Sequence, residues 1–269
     1  MLIWIAALHC EAKPVIDFYR LKKSPAHRGF DLYQNDDMCL VVSGIGKTSA
    51  AAATAWVAAL QSTCASTAWI NLGIAGAASH EIGSAFWVSK ITCKSTGQNY
   101  YPVPTFSIDF NISACTTLDQ ASNEYQPSTL YEMEASGFFA TATRFSSAEL
   151  IHCLKFVSDN QHQQSRFEKA AISTLINQHM ETIDKFAKNL QLLNQQCMNL
   201  KIDNTVWQSI LEQARFSMTQ QAQLKTVLGY LLSQGFDAEA LCQQVSQRTS
   251  SREILKQLNQ IRLDQSRNL

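Results

Sequence analysis

Net charge is absent: 22 Lys and Arg balance 22 Asp and Glu over 269 residues. A neutral chain exerts no long-range pull on nucleic acid or on an anionic membrane, so neither is expected as a partner. A long apolar run at the start is missing too. Leu2–Leu8, "LIWIAAL", is seven residues with no basic residue ahead of it. That is too short to span a bilayer and wrongly flanked for a signal peptide. It reads as a buried first strand, and a cytoplasmic protein is the expectation. The eight cysteines include no C-x-x-C, and no His pair has metal spacing. Reduced thiols packed as small hydrophobes are expected, not a disulfide framework or a metal centre. Glycine is scarce in the second half: of ten, only Gly229 and Gly235 lie beyond residue 160.

What is present divides near that point. Before it, short apolar runs alternate with Ala-rich stretches. "LIWIAAL", "MCLVVSGIG", "TAWINLGIAG", "SAFWVSKITC" and "ELIHCLKFVSD" read as buried strands. "KTSAAAATAWVAALQS" between the second and third is a strong helix former. Strand–helix–strand alternation predicts an α/β fold with a largely parallel sheet covered on both faces. Ligands of such sheets sit off the carboxyl ends of the strands, where "SGIGK", "GIAGA" and "SDN" fall. From residue 160 on, nineteen glutamines occur and no strand pattern appears. Helices are predicted over 164–198, 205–216, 219–234, 237–248 and 250–264, with starts at Asn204/Thr205, Thr219, Asp237 and Ser250/Ser251. Leu224, Val227, Leu228, Leu231 and Leu232 form an apolar stripe at helical spacing. The division predicted is a domain over 1–194 and an all-α appendage over 195–269, solvated or docking a protein partner.

Five segments hold residues able to do chemistry. Glu11 follows the first strand, where an acid ordinarily serves a helix first turn. "SGIGKTSAAAA" (Ser43–Ala53) is a Gly-x-Gly turn into a helix that fits neither a P-loop nor G-x-G-x-x-G. "NLGIAGAAS" puts Ala75 and Gly76 at a strand end, where backbone approaches a ligand or a packed helix closely. "LYEMEASGFF" sets Glu132 and Glu134 in an apolar run, and a buried carboxylate demands a strong partner, sugar hydroxyls or a cation. "FVSDN" ends an apolar strand with Ser158 and Asp159, the latter a site acid or a helix cap.

In this order the five segments resemble the purine nucleoside phosphorylase / methylthioadenosine–S-adenosylhomocysteine nucleosidase superfamily, over roughly residues 1–190. The resemblance implies a nucleoside phosphorylase-like three-layer fold with a central mixed, largely parallel sheet, followed here by the all-α appendage. It implies cleavage of an N-glycosidic bond in a purine-like nucleoside, 5′-modified ones included. Glu11 then matches the carboxylate that activates water, and Glu134 the acid that holds the ribose hydroxyls with Met133 on the sugar. Asp159, with Ser158 beside it, matches the acid that protonates the departing base. Ala75, Gly76, Glu132 and Lys155 complete the implied substrate-binding set. The chemistry suits such residues: the transition state is oxocarbenium-like, and a base leaves more easily once protonated. The resemblance also implies a homodimer and no metal or organic cofactor.

Departures bear on the reaction type. The phosphorylases hold phosphate with a Gly-Asp-Pro-x-Arg-like loop, an Arg and a hydroxyl; here stand "LHCEAKP", Asn71 and Ile74. Water is therefore favoured over phosphate as acceptor. Ile74 also replaces the Ser or Thr usual in the nucleosidases, and Lys155 replaces their Arg. The base-reading stretch "CTTLDQASNEYQPSTLYEMEA" is compact; Asp119 is a candidate for a base edge and Tyr125 or Tyr131 for stacking, each with a loop or core role as the simpler reading. Three functions stay open: a hydrolase, a phosphorylase, and a nucleoside-binding scaffold that docks a partner through its C-terminal helices.

Overall fold

β1 (Leu2–Ala6) is buried along its whole length, and its alternation decides which helices cover it. Ile3 and Ile5 join a core with Ala50, Ala53 and Val57 on one side. Trp4 turns the other way, its ring 6.2 Å from that of Tyr19. The computed structural model describes the chain except residues 26–28, 62, 64–65, 123–124, 162–167, 200–203, 234, 247, 249 and 267–269. The chain forms two units, Met1–Gln195 and Gln196–Leu269.

In the first unit β1 is followed by α1 (His9–Tyr19), β2 (Lys22–Lys23), β3 (Asp31–Gln34), β4 (Met38–Val42), α2 (Lys47–Leu60) and β5 (Ala68–Ala77). Then come β6 (Ala85–Cys93), β7 (Asn99–Tyr100), β8 (Asn111–Thr117), β9 (Thr129–Glu132), α3 (Ala135–Ala142), β10 (Ile151–Asn160), α4 (Lys169–Asn177) and α5 (Met180–Asn199), which crosses the boundary between the units after Gln195. The sheet is mixed. One parallel run is β4–β1–β5–β10, the strands whose apolar sequences announce them, and a second is β6–β8–β9. Antiparallel pairing adds β2 and β3 at one side, and joins β10 to β6 and β5 to β9. Because β10 pairs with both β5 and β6, the strands β10–β6–β8–β9–β5 close into a ring. Helices α2 and α3 cover one face, while α1 and α4 pack together on the other.

Two local details fix these helices. Pro14 lies inside α1, and without an N–H it leaves the Cys10 carbonyl without its helical donor. Ser173 Oγ of α4 supplies the missing bond at 2.7 Å. On the other face Gly137 of α3 lies against the backbone of Lys47; a β-carbon there would overlap the Lys47 carbonyl.

The helix predicted over 164–198 is broken into α4 and α5, the chain turning at Gln178 and His179; its residues 164–167 lie outside those described. In the second unit α6 (Asn204–Gln213), α7 (Met218–Ser233), α8 (Ala238–Val245) and α9 (Ser251–Ser266) answer the other four predicted helices. Leu224, Val227, Leu228 and Leu231 are buried in their common core, with Leu232 only partly buried at its margin. Asp237 caps α8 by accepting from the Ala240 N–H, and Ser250 accepts from the Glu253 N–H before α9. The cap of α7 is Ser217, not Thr219: its hydroxyl accepts from the Gln220 N–H. Among the described residues no helix is long and apolar enough to cross a membrane.

Candidate active site

Glu11 sits in the first turn of α1, immediately beyond β1. One carboxylate oxygen accepts from the Leu8 N–H at 2.8 Å, the back-bond of a helix start. The other accepts from the Ile74 N–H of β5 at 2.9 Å. Gly73 makes that approach possible, since a β-carbon there would stand 3.0 Å from Glu11 Oε1. Thus one side chain serves its own helix and reaches across to a parallel strand. Burial pushes its carboxyl up to about 7.

The two acids of "EMEA" face different helices. Glu132 ends β9, and its Oε2 accepts from the N–H groups of Glu134 and Ala135 at 2.9 and 2.7 Å. A negative charge at the start of α3 is what the helix dipole favours. Thr117 Oγ1 donates to Oε1 at 2.5 Å, and Lys155 Nζ stands 2.9 Å from Oε2. Glu132 is therefore committed to protein partners. Glu134 instead reaches back to an earlier helix, its Oε1 accepting from the Gly46 N–H at 2.8 Å ahead of α2. Burial raises its carboxyl above the usual range, with Lys155 pulling the other way.

Asp159 comes last, near the end of β10. The register of β10 against β5 runs Val157↔Ala75 and then Asp159↔Gly76, so Ser158 is an inserted residue. Adjacent residues of a regular strand face opposite sides. The bulge lifts that rule locally, and Ser158 and Asp159 both border one cavity. Ser158 Oγ donates to Asp159 Oδ1 at 2.7 Å, and Tyr125 Oη donates to Oδ2.

That cavity, of about 190 Å³, is where the sequence candidates meet: Glu11, Ala75, Gly76, Glu132, Met133, Glu134, Ser158 and Asp159 all line it. It lies off the carboxyl ends of β1, β5 and β10, as an α/β sheet dictates. Lys155 does not. Expected on the substrate, it lies behind the wall, 1 % exposed, because Glu132 holds it there. Burial works against its charge, but Glu132 and Glu134 outweigh it and keep the ammonium protonated. Asp119 is likewise elsewhere, half-exposed and paired with Lys47 at 2.5 Å. Tyr125 and Tyr131 both line the cavity, ring centroids 5.2 Å apart. Ile45, from the Gly-x-Gly turn, also lines it, as do Leu118, Ala121 and Ser122, which carry no sequence signal; each of these three is apolar or small and set by its loop alone.

No protein-family model matches the chain, and no curated protein matches it in sequence. Solved structures do match in fold. The apo 5′-methylthioadenosine nucleosidase of Arabidopsis thaliana aligns at a TM-score of 0.59 and 16% identity, over 70% of this chain and 95% of its own. The methylthioadenosine/S-adenosylhomocysteine nucleosidase of Colwellia psychrerythraea, in complex with adenine, gives 0.54 and 18%, over 72% and 93%. That of Neisseria meningitidis, with methylthio-immucillin-A, gives 0.52 and 19%, over 68% and 98%. Identities this low speak to architecture, and what they establish is that the chain has the nucleoside phosphorylase-like fold of these nucleosidases, with further helices after it.

Proposed function

We propose that the protein hydrolyses the N-glycosidic bond of a purine-like nucleoside, 5′-modified ones included, and releases the free base. The observation that carries this reading is the meeting of Glu11, Glu134 and Asp159 on one cavity at the strand ends. Each has a distinct task. Glu11, with a carboxyl near 7, is poised to take a proton from water close to neutrality. Its two backbone bonds fix the carboxylate plane and leave one lone pair on each oxygen for that water. Glu134 is anchored by Gly46 and turns its remaining acceptor capacity to the ribose hydroxyls, binding more tightly as the sugar becomes cationic. Asp159, held by Ser158, delivers the proton that lets the base depart. The neighbouring folds support the assignment through what was bound in them, adenine in one case and methylthio-immucillin-A in another.

The lining also favours water over phosphate. Among the described residues three acids with side chains not tied up in an ion pair line it, Glu11, Glu134 and Asp159, and the lining holds no Lys, Arg or His. A phosphate dianion there would meet these acids with no cation in contact, because Lys155 lies behind the wall on Glu132. Asn71, at the phosphorylases' Arg position, is buried and donates to the Ile5 carbonyl at 3.1 Å. Ile74 offers its N–H to Glu11 and no hydroxyl to an anion. The test is a panel of nucleosides, 5′-substituted ones included, assayed for free base and reducing sugar with and without phosphate. Strict dependence on phosphate, with ribose 1-phosphate as product, would replace hydrolysis by phosphorolysis. Ligand-induced stabilisation without any cleavage would leave a binding protein.

A homodimer in the cytoplasm, and a protein partner for the helices after residue 195, remain part of this proposal; sedimentation of the purified chain tests the first.

A further inference from the structure

The leaving-group end of the cavity is already occupied by the chain itself. Tyr125 is 8 % exposed, and its hydroxyl donates to Asp159 Oδ2. The phenolic end of the ring lies close against Gly76, where any β-carbon would overlap the hydroxyl. Gly76, on β5, is the register partner of Asp159 on β10 and of Tyr131 on β9. The ring therefore covers the seam between those strands, next to the acid assigned to the base. Its carbonyl is held by Gln161 Nε2 at 2.6 Å, and the following N–H by Tyr131 Oη at 3.0 Å. Ser158 holds the other carboxylate oxygen, so both oxygens of Asp159 already accept a hydroxyl.

We propose that Tyr125 selects substrates as an intramolecular competitor, holding Asp159 in place of the base until a base that bonds the acid better displaces it. This rests on the nucleoside reading of the cavity. The physical consequence is a tax on affinity: only molecules with Tyr125 swung aside are competent, and apparent binding weakens by that fraction. A hydrogen bond to a charged acceptor is strong enough to make the fraction small. A base offering Asp159 its own N–H or a nitrogen to protonate can pay the tax; a leaving group offering neither cannot. Proton delivery through Oδ2 requires the same event, because the Tyr125 hydroxyl occupies that oxygen until the ring swings aside. Gly76 belongs to the device, as the only residue type that lets the phenol lie where it does.

The test uses adenine, hypoxanthine and uracil as probes, titrated calorimetrically into the wild-type protein, Tyr125→Phe and Tyr125→Ala. Tyr125→Phe keeps the ring and guards against a folding defect. The expected result is that at least one base binds both variants roughly tenfold or more tightly than wild type. In turnover, Tyr125→Phe lowers KM with little change in kcat, which mere loosening of the loop would not do. Weaker binding to Tyr125→Ala overturns the proposal, because the ring would then be a wall for the base. Equal binding in all three overturns it as well. Binding without cleavage of any nucleoside sinks the hydrolase reading and leaves the competition standing; binding of no base to any form overturns both.

Discussion

Lys155 Nζ and Glu132 Oε2 stand 2.9 Å apart, with both side chains shut off from water. No substrate reaches this pair, yet it underlies the site. Lys155 neutralises the acids at the start of α3, and it lowers the cost of keeping Glu11 and Glu134 ionised nearby. Lys155→Met should cost about 3–5 kcal/mol in urea denaturation, since it strands a buried carboxylate. If Lys155→Met unfolds at the wild-type urea midpoint, the pair is not the support described. Adding Glu132→Gln to that variant should recover part of the loss.

The carboxyl of Glu11 sets an acid limb on activity. As the base it must be ionised, so kcat/KM should fall about tenfold per pH unit below a midpoint near 7. A flat profile from pH 5 to 8 would remove Glu11 from that role.

The same shift has a stability consequence of defined sign. A carboxyl raised from 4.5 to about 7 holds its proton more tightly in the folded state. Its contribution favours folding at low pH and is lost as pH rises from 4.5 to about 7. Glu11→Gln removes that slope. Relative to wild type, the variant should therefore gain up to roughly 3 kcal/mol between those limits, less any fixed cost of setting an amide against the two backbone N–H groups. Denaturation at pH 5 and pH 8 reads the difference.

Glu134→Gln keeps an oxygen for the Gly46 N–H and should fold with nearly unchanged stability. Its loss is chemical: without the charge, the cationic sugar is less stabilised, and kcat should drop about 10²–10³-fold. A change in KM alone would instead mean that Glu134 binds substrate and transition state equally well.

Gly137→Ala tests how α3 is seated. The new methyl meets the Lys47 backbone, which cannot rotate away. Destabilisation of about 3 kcal/mol or more is expected, at the upper end of overpacking effects. Because Glu134 and Gly46 sit at the adjoining helix starts, activity should fall further than stability does.

Glu11 and Asp159 were legible as candidates because they stand at the ends of the apolar strands β1 and β10, and strand ends are where parallel sheets bind ligands. Glu134 was singled out by the apolar run around it and by the order of the segments that carry the resemblance. Strands β8 and β9 were not foreseen, because Asn111–Thr117 and Thr129–Glu132 are short and rich in polar residues, held by neighbours distant in sequence. Lys155 was expected on the substrate, and Asp119 was weighed for a base edge against the loop role that it has, for a related reason. Whether a charged residue faces a cavity or an opposite charge depends on partners 23 and 72 positions away, Glu132 and Lys47. The inserted Ser158 has no sequence mark at all, since a bulge is visible only once the partner strand is in register. Tyr125 was weighed as a stacking ring, and nothing in its surroundings announced a bond to Asp159.

The closure of β10–β6–β8–β9–β5 into a ring also decides how the protein behaves in a crowd. Every long strand has a partner on both sides. Among the described residues the free margins of the sheet are β2 and β7, each two residues long, and β2 is a pair of exposed lysines. Short, charged margins give another chain little to zip onto. A fold carrying this much buried β-structure can thus stay dispersed at concentrations where an open sheet of the same size would recruit its copies.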